Sequence, residues 1–400
     1  MSTSAGPHRE NLGLSQPRLS LRRIHRFLAL AKKRKAFQAM VSVPPALTPP
    51  ISSATIIVPA RNEERNIEVC VRSLLNQSYV DYDVVVVDGG SEDATPAILQ
   101  RLAAESPRLR VVSEPPLPPS WIGQSWALAT GAAGVSSEWL LFTDADTEHQ
   151  PGTLAAAVAF AESQRLDMLS LLYHFKLSSF WERVVLPVPI SLSQLDWSPE
   201  EVNDPCFPKV KAHGAFILIR RAVYEAMGGH RAIRDVISND NAMARLIKSR
   251  GYRLMLADGC QWVQARHFRS LGEIWTGMSR WVFSRHQVSL AWVLGCAALL
   301  LGLSWGSFAL AGLAMAWLIM GTGSFGSWLA LLLGGLGILL QVALGVSVAH
   351  AMRIPSAYGL LRPLGIVVIV GIMLNSAFLI LSGRGVTWKG RRYYRAAGDG

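Results

Sequence analysis

The chain has 400 residues, 50% of them hydrophobic, and a mean hydropathy of +0.27. This composition is too apolar for an ordinary soluble enzyme, and the first two-thirds are too charged for a protein made only of membrane helices. The net charge of +11 lies at the two ends, because residues 1–50 carry +8, residues 384–400 carry +4 and the remainder carries −1. A neutral body argues against nucleic-acid binding, and basic ends favour contact with anionic lipid on a cytoplasmic membrane face.

Residues 1–50 are predicted to form a basic N-terminal arm. Its first 20 residues suit a disordered basic segment as well as a lipid-binding tail. Leu21 to Met40 has the pattern of a basic amphipathic helix that can lie in a membrane interface. The apolar stretches here are short and broken by charge, so no cleavable signal peptide is expected. The four cysteines have neither zinc-ligand nor disulfide-framework spacing, which favours a reducing compartment.

Residues 51–285 are predicted to be an α/β domain with a Rossmann-like, mainly parallel sheet. Apolar or β-branched runs typical of buried strands alternate with segments of helical periodicity, and this alternation implies right-handed crossovers. The predicted strands are 55–58, 84–87, 109–112 and 139–143. The predicted helices are 66–76, 96–104 and one that begins at about 239.

Polar residues follow several of these strands, at the sheet edge where ligands of open α/β sheets bind. The polar segments are Pro59–Glu64, Asp88–Thr95, Thr143–Asp146 and Ser238–Asp240. Asp144 and Asp146 stand one residue apart, a spacing that suits a hard divalent cation which also holds substrate phosphates. Each segment also has a purely structural interpretation, since Asn62 and Ser91 can cap helices and Asp240 can stabilise a first helical turn.

The last third of the chain is predicted to be membrane helices, over residues 286–383. Three apolar blocks, 288–320, 326–348 and 364–381, are each long enough for a bilayer core, which takes about 20 residues. The first block is interrupted by Ser304–Ser307 and is compatible with two short helices in a hairpin, so three or four helices are expected. A basic cytoplasmic tail over 384–400 and a cytoplasmic catalytic domain require an even number of crossings, which favours the hairpin.

In this order the motifs resemble the family 2 inverting glycosyltransferases of GT-A fold, and among them the membrane-bound carotenoid and lipid glycosyltransferases. The resemblance covers about residues 54–395. It rests on PARNEE at 59–64, DGGSEDAT at 88–95, WIGQ at 121–124, LLFTDADT at 140–147, HGAF at 213–216, MGG at 227–229, Asn239-Asp240 and TWKGR at 387–391.

The resemblance implies a role for each candidate site residue. The residues that would bind the nucleotide sugar are Pro59, Asn62, Glu63, Asp88, Ser91 and Asp144. Asp144 and Asp146 would hold Mg²⁺ or Mn²⁺ against the diphosphate, where a Lewis acid stabilises the departing phosphate. Asp240 would be the catalytic base that takes the proton of the acceptor.

The chain departs from the family pattern at several positions. Gly89 stands where many members have Asp, Gln124 where Lys is frequent, and Asn239 where Glu is common. Residues 277–281 resemble the QxxRW of processive synthases without its Gln, which favours transfer of a single sugar.

Three further side chains have open assignments. Arg280 suits either a phosphate contact or a lipid-facing position. His267 is a candidate metal ligand with a structural alternative, and His213 is a candidate acceptor contact. The aromatic, amphipathic stretch Leu177–Leu195 is expected either to dip into the membrane interface or to pack on the sheet.

The resemblance and the apolar last third together imply a metal-dependent, multi-pass enzyme of the inner (cytoplasmic) membrane. It would move one hexose from a nucleotide sugar such as UDP-glucose to a lipid acceptor such as a carotenoid. The alternatives are a polyprenyl-phosphate or a glycerolipid- or ceramide-type glycosyltransferase, and a membrane scaffold that binds nucleotide sugar without catalysis. A transporter is disfavoured, because ionisable residues are nearly absent from the apolar blocks.

Overall fold

The computed structural model describes residues 41–46, 50–285, 290–382, 384, 386–388 and 391–393. The predicted amphipathic helix over 21–40 and most of the predicted basic tail lie outside the described residues.

The described chain alternates strands and helices up to residue 265 and is then mainly helical. The strands are β1 (Ala54–Ala60), β2 (Tyr82–Asp88), β3 (Leu109–Ser113), β4 (Trp139–Phe142), β5 (Thr147–His149), β6 (Met168–Leu172), β7 (His174–Phe175), β8 (Ile217–Arg220), β9 (Leu254–Asp258), β10 (Val263–Ala265), β11 (Val386–Trp388) and β12 (Arg391–Tyr393). The helices are α1 (Ile67–Leu75), α2 (Thr95–Glu105), α3 (Gly123–Ala132), α4 (Thr153–Ser163), α5 (Phe180–Val185), α6 (Pro187–Ser193), α7 (Pro199–Asn203), α8 (Arg221–Ala226), α9 (Asn239–Ser249), α10 (Leu271–Arg285), α11 (Leu290–Ile319), α12 (Phe325–Ala351) and α13 (Arg362–Leu381), with 3₁₀ turns at Gly229–Ile233 and Ser356–Leu361.

The central sheet has seven strands in the order β3-β2-β1-β4-β8-β6-β9. All neighbours are parallel except β8, which is antiparallel to both β4 and β6. The middle residues of β2, Val84 to Val87, are all buried because helices cover both faces of the sheet. The predicted mainly parallel sheet is confirmed, and the predicted strands and helices match the observed elements to within two residues at most ends.

Two features of the sheet bring the polar segments together. Ala60 pairs with Asp88 at the ends of β1 and β2, so the loops after these strands lie side by side. A second sheet, β5-β10-β7, pairs Thr147 with Ala265 in antiparallel register. The turn between β4 and β5 therefore lies beside the chain that follows β10.

Among the residues that the structure describes, three helical segments are long and apolar enough to cross a membrane: Leu290–Ile319, Phe325–Ala351 and Ser356–Leu379. The hairpin interpretation of Ser304–Ser307 is wrong, since α11 is continuous through these residues. Ser307 instead lies at the contact with α12, where Gln341 Nε2 donates to Ser307 Oγ at 2.6 Å. Small residues in apolar helices mark close helix packing, and they interrupted the apolar pattern here without ending the helix.

The stretch Leu177–Leu195 packs on the apolar C-terminal helices. Val184 and Val185 of α5 are buried in a cluster that also contains Ile366 and Ile369 of α13. Arg362, at the start of α13, donates to Ser191 Oγ of α6 at 3.3 Å. The segment that joins α12 to α13 therefore lies against the α/β domain and not at the far end of the α11–α12 pair.

Candidate active site

The loops after β1 and β2 are held together by hydrogen bonds between side chains and backbone. Asn62 has a left-handed φ of 51°, and its Oδ1 accepts from Glu92 N at 2.9 Å. Ser91 Oγ accepts from Asn62 N at 2.9 Å and donates to Asp88 Oδ1 at 2.5 Å. The side chains of Asn62 and Ser91 thus shape the loop pair, which presents the Asp88 carboxylate beside the end of β1.

Glu63 and Pro59 lie on the same edge of the sheet. Glu63 N donates to Thr95 Oγ1 at 2.8 Å, and its Oε2 accepts from Asn66 Nδ2 at 2.9 Å. Pro59 is the sixth residue of β1 and is half-buried. The structure therefore brings all the predicted nucleotide-binding residues of β1 and β2 to one rim of the domain.

Asp144 follows β4 and is fixed from two sides. Its Oδ1 accepts from Gln124 Nε2 of α3 at 2.9 Å. Its backbone carbonyl accepts from Thr147 Oγ1 at 2.8 Å, which closes the turn. A Cβ atom at Gly214 would lie 3.0 Å from Asp144 Oδ2, so glycine at 214 gives the carboxylate its space.

Asp146 is part of a buried polar chain. Its Oδ2 lies 2.7 Å from His267 Nδ1, and His267 Nε2 lies 2.7 Å from the Tyr173 hydroxyl. Burial lowers the pKa of His267, but the charge of Asp146 and its hydrogen bond outweigh burial, and the pKa is raised overall. The imidazole thus fixes the orientation of the Asp146 carboxylate.

Asp240 lies in the first turn of α9 and is half-buried. Its Oδ1 accepts from Ser238 Oγ and from Asn241 N, both at 2.7 Å, and from Asn241 Nδ2 at 3.1 Å. These donors fix the position of one carboxylate oxygen at the N-terminal end of the helix.

Tyr173 is the buried end of the polar chain that begins at Asp146. Burial raises the pKa of its phenol well above the ordinary value, and the charges of Asp146, Asp144 and Asp240 raise it further. The His213 ring meets the Tyr173 ring edge-on, with ring centroids 5.5 Å apart.

A small pocket opens beside Asp144, between α3, β4 and the start of α9. Asn239 lines it and is 7% exposed, and its Nδ2 has no hydrogen-bond partner among the described residues. A buried amide donor without a partner among the described residues is suited to donate a hydrogen bond to a polar group of a ligand. Asn239 is therefore a candidate substrate contact beside Asp240.

A buried ion pair connects this site to the apolar helices. Arg266 N donates to Asp146 O at 3.1 Å, and the Arg266 guanidinium makes two hydrogen bonds of 3.1 Å to the carboxylate of Glu182. Glu182 is 1% exposed and closes the capping box of α5 with Ser179. The ion pair between Arg266 and Glu182 thus joins the turn that carries Asp146 to α5, the helix that packs on α13.

The carboxylates fit a Mg²⁺ or Mn²⁺ ion that is completed by substrate. Among the described residues, no three His, Cys, Asp or Glu side chains are gathered closely enough to hold a metal by themselves. Such ions keep waters and bind phosphate oxygens, so two carboxylates suffice on the protein side. Asp144 and Asp146 are half-buried oxygen donors one residue apart, with the space beside Asp144 kept open by Gly214.

The sequence identified the acidic residues but missed some of their supports. Tyr173 has no local signal, because it follows a buried strand as an ordinary apolar residue would. Glu182 and Arg266 are 84 residues apart and carry no motif. The side chain of Arg280 lies outside what the structure describes, so its assignment stays a prediction.

The mixed, mainly parallel sheet, with acidic residues in the loops at the carboxyl ends of its strands, has the α/β architecture expected of a GT-A fold. Residues 55–228 match the family model described as Glycosyl transferase family 2. This part of the chain is therefore a family 2 glycosyltransferase domain.

The individual relatives and solved structures share about a quarter of their residues with this chain or fewer. The chain is 25% identical over 270 residues to the 4,4'-diaponeurosporenoate glycosyltransferase of Staphylococcus haemolyticus, covering 63% of this chain and 69% of the relative. It is 26% identical over 228 residues to the protein of the same name from Staphylococcus aureus, covering 56% of this chain and 59% of that relative, less than two thirds of its length. Among solved structures, the mannosyltransferase PcManGT from Pyrobaculum calidifontis, in complex with GDP-Man and Mn²⁺, is 19% identical with a TM-score of 0.49, over 88% of this chain and 96% of that one.

Proposed function

We propose that the protein transfers one hexose, with inversion, from a nucleotide sugar such as UDP-glucose to a lipid acceptor of carotenoid type. The observation that carries the proposal is the pocket that is lined by both Asp144 and Asn239, because it brings the turn after β4 beside the residue that precedes Asp240. Inverting transfer needs a site for the diphosphate on one side of the sugar and a base on the other.

The donor would lie along the carboxyl edge of the sheet. The loops after β1 and β2, with Pro59, Asn62, Glu63, Asp88 and Ser91, would enclose the base and ribose. Asp144 and Asp146 would hold a divalent ion, which when bound supplies positive charge to the leaving diphosphate. Gln124 and His267 fix the orientation of these two carboxylates before substrate arrives.

Asp240 would take the proton of the acceptor. The acceptor oxygen then attacks the anomeric carbon as the bond from that carbon to the diphosphate oxygen breaks, and the electron pair leaves with the diphosphate. The carboxylate oxygen that accepts from Ser238 and Asn241 is fixed by them. The Asn239 amide, beside it, would contact a hydroxyl of the sugar or the acceptor end.

Two observations support a lipid acceptor. The turn of Asp146 is linked through Arg266 and Glu182 to α5, which packs on the apolar helix α13. The relatives in Staphylococcus carry in their name 4,4'-diaponeurosporenoate, a carotenoid-type acceptor. A catalytic domain on the cytoplasmic side of the inner membrane, joined to apolar helices, would reach such a molecule where its polar end leaves the bilayer.

The test compares the purified full chain with Asp240→Asn in lipid vesicles that contain a carotenoid alcohol, whose hydroxyl keeps its proton at neutral pH, with UDP-glucose and Mn²⁺. We expect glycosylated lipid from the wild type, and a rate about 10²- to 10⁴-fold lower from the variant, the usual cost of removing a general base. Asp235→Asn removes an exposed carboxylate five residues away and should leave the rate unchanged.

Chelation of Mn²⁺ should abolish transfer and re-addition should restore it. Transfer by Asp240→Asn at the wild-type rate would refute the base assignment. Binding of nucleotide sugar without turnover of any lipid, in wild type and variant alike, would favour the scaffold alternative.

A further inference from the structure

A second pocket lies away from the proposed transfer site, where α12 and α13 meet α5 and α6. It is small and open on one side. Its walls are Arg183, Val184, Pro187 and Val188 from α5–α6, Gly345, Val348 and Ala349 from α12, and Ile354, Tyr358, Gly359 and Arg362 from the segment that leads into α13. Two arginines thus line a pocket that is otherwise almost entirely apolar.

Neither arginine is neutralised by a carboxylate. Arg183 Nε donates to Leu177 O at 3.1 Å, and its guanidinium lies 5.4 Å from the centre of the Tyr358 ring. Arg362 Nη1 donates to Ser191 Oγ at 3.3 Å. No ion pair between described residues includes either arginine. The acid next to Arg183 in the chain, Glu182, is engaged by Arg266 and Ser179.

The pocket is built by close backbone packing. A Cβ at Gly345 would overlap the carbonyl oxygen of Gly359, and a Cβ at Gly359 would overlap Val346 N. A Cβ at Gly365 would overlap the carbonyl of Val184, so α13 contacts α5 through its backbone. The backbone segments that carry the two arginines are therefore packed directly against each other.

The pocket also lies at one end of the apolar helices. Its residues come from the last two turns of α12 and from the segment that begins the third apolar span at Ser356. The ends of such helices meet lipid head groups, and basic pockets between membrane helices are suited to anionic head groups.

We propose that Arg183 and Arg362 bind the phosphate of an anionic phospholipid head group, with the acyl chains lying along α12. Guanidinium groups pair with phosphate oxygens through two parallel hydrogen bonds, which a Tyr or Lys at these places would not reproduce. The bound lipid would fasten α5 and the start of α13 to the bilayer beside the catalytic domain. This site is independent of the transfer reaction, and its test does not use activity.

The test is native mass spectrometry of the full chain released from nanodiscs that contain phosphatidylcholine and phosphatidylglycerol in a 3:1 ratio. We expect the wild type to retain one phosphatidylglycerol in preference to phosphatidylcholine. In Arg183→Gln/Arg362→Gln the affinity for that lipid should fall about thirtyfold, since each basic residue contributes about fivefold near a lipid surface. Arg250→Gln/Arg253→Gln removes two exposed arginines that lie between α9 and β9 and do not line the pocket, and this variant should retain the lipid.

Two further measurements identify the source of the anion and control for misfolding of the variant. Inorganic phosphate at millimolar concentration should not displace the lipid. Loss of bound phosphatidylglycerol from the wild type when phosphate is added would overturn the lipid assignment. Arg183→Lys/Arg362→Lys keeps both charges and should fold and retain the lipid more weakly than wild type. Undiminished retention of phosphatidylglycerol in the glutamine variant, or in the lysine variant if the former does not fold, would refute the site.

Discussion

At the scale of single residues, the orientation of the acidic side chains depends on neighbours that hydrogen-bond to them or leave space beside them. Gln124 and His267 each engage one carboxylate of the Asp144/Asp146 pair. Gly214 contributes by having no side chain. Such supports determine whether two carboxylates on a turn present their oxygens to one ion or point apart.

Gly214→Ala should weaken Mn²⁺-dependent UDP binding about tenfold, the lower end of what loss of a supporting residue costs a metal site. The new Cβ would lie 3.0 Å from Asp144 Oδ2 and would push the carboxylate from its position. Gly272→Ala is the control, because its Cβ would meet only Ser270 Oγ at 3.9 Å. Calorimetric titration with UDP, with and without Mn²⁺, measures the difference. An unchanged affinity in Gly214→Ala would contradict the placement of the ion at Asp144.

Only some residues of the candidate site can be predicted from the sequence. Asp144 and Asp146 follow a buried strand at a spacing with a chemical meaning, and Asp240 follows a recognisable helix start. Tyr173 is placed beside this site by tertiary packing alone, since its hydrogen-bond partner His267 is 94 residues further along the chain. Local patterns predict strand ends well, and they contain no information on which distant side chain closes a site.

At the scale of elements, α5 is the link between catalytic turn and apolar helices. Burial alone would raise the pKa of Glu182, but the Arg266 guanidinium and the hydrogen bonds from Ser179 outweigh burial, and the pKa is lowered. A carboxylate with a lowered pKa in the folded state contributes stability above its unfolded value of 4.5, and the contribution is lost as the pH falls through the folded value.

Glu182→Gln should therefore lower the stability at pH 7 by about 3 kcal/mol, as breaking a buried ion pair does. The gap in thermal unfolding temperature between wild type and variant should be constant from pH 7 down to about 5 and should narrow at lower pH. Glu201→Gln alters the equivalent capping-box residue of α7, which pairs with the partly exposed Lys209 at 3.6 Å, and should cost less than about 1 kcal/mol. A gap that widens on acidification would show that the carboxylate is not paired in the folded protein.

The contact between α11 and α12 explains why Ser304–Ser307 interrupt the apolar pattern although they do not form the hairpin that the pattern predicts. Gly334 and Gly337 of α12 face Ala311 and Ser307 of α11, so the small residues form the contact. A sequence pattern shows only that the apolar run is interrupted, and both a loop and a close helix contact produce that interruption.

Gly334→Leu should destabilise the helix pair by about 1–3 kcal/mol through overpacking. A Cβ at Gly334 would lie 2.7 Å from Ala311 N, whereas a Cβ at the neighbouring Gly335 would meet no described atom within 4 Å. Gly335→Leu is thus a control with the same chemical change one position away. Thermal unfolding in detergent compares the two, and equal losses in both variants would mean that the α11–α12 contact is not as described.

At the scale of the whole molecule, the three apolar helices are not equivalent. Large apolar side chains are exposed along the full length of α11 and α12, as expected of helices that face lipid. Helix α13 has one exposed apolar stripe, and its other face is buried against α5, α6, α10 and α11. It is long enough to span a bilayer, but length does not require that it does so.

The neighbours of α13 indicate that it stays on the side of the catalytic domain. It begins at Arg362 beside α6, and further along Asn375 and Ser376 hydrogen-bond to Ser279 of α10. Helix α10 contains Glu273 and directly follows the α/β domain, and β11, after the end of α13, also packs on α10. Both ends of α13 thus contact elements next to the catalytic domain. We therefore expect two crossings, by α11 and α12, an even number that would agree with the predicted cytoplasmic tail.

This arrangement makes opposite predictions for two engineered cysteines in a chain without its native ones. Thr322→Cys, exposed in the turn between α11 and α12, should react with a membrane-impermeant maleimide in intact cells. Ser382→Cys, exposed after α13, should react only after the membrane is permeabilised. Native Cys206, exposed on the catalytic domain and tested alone, provides the reference for the cytoplasmic side. Labelling of Ser382→Cys in intact cells would mean that α13 crosses the bilayer. If Thr322→Cys and Cys206 both react only after permeabilisation, the α11–α12 pair does not cross the bilayer.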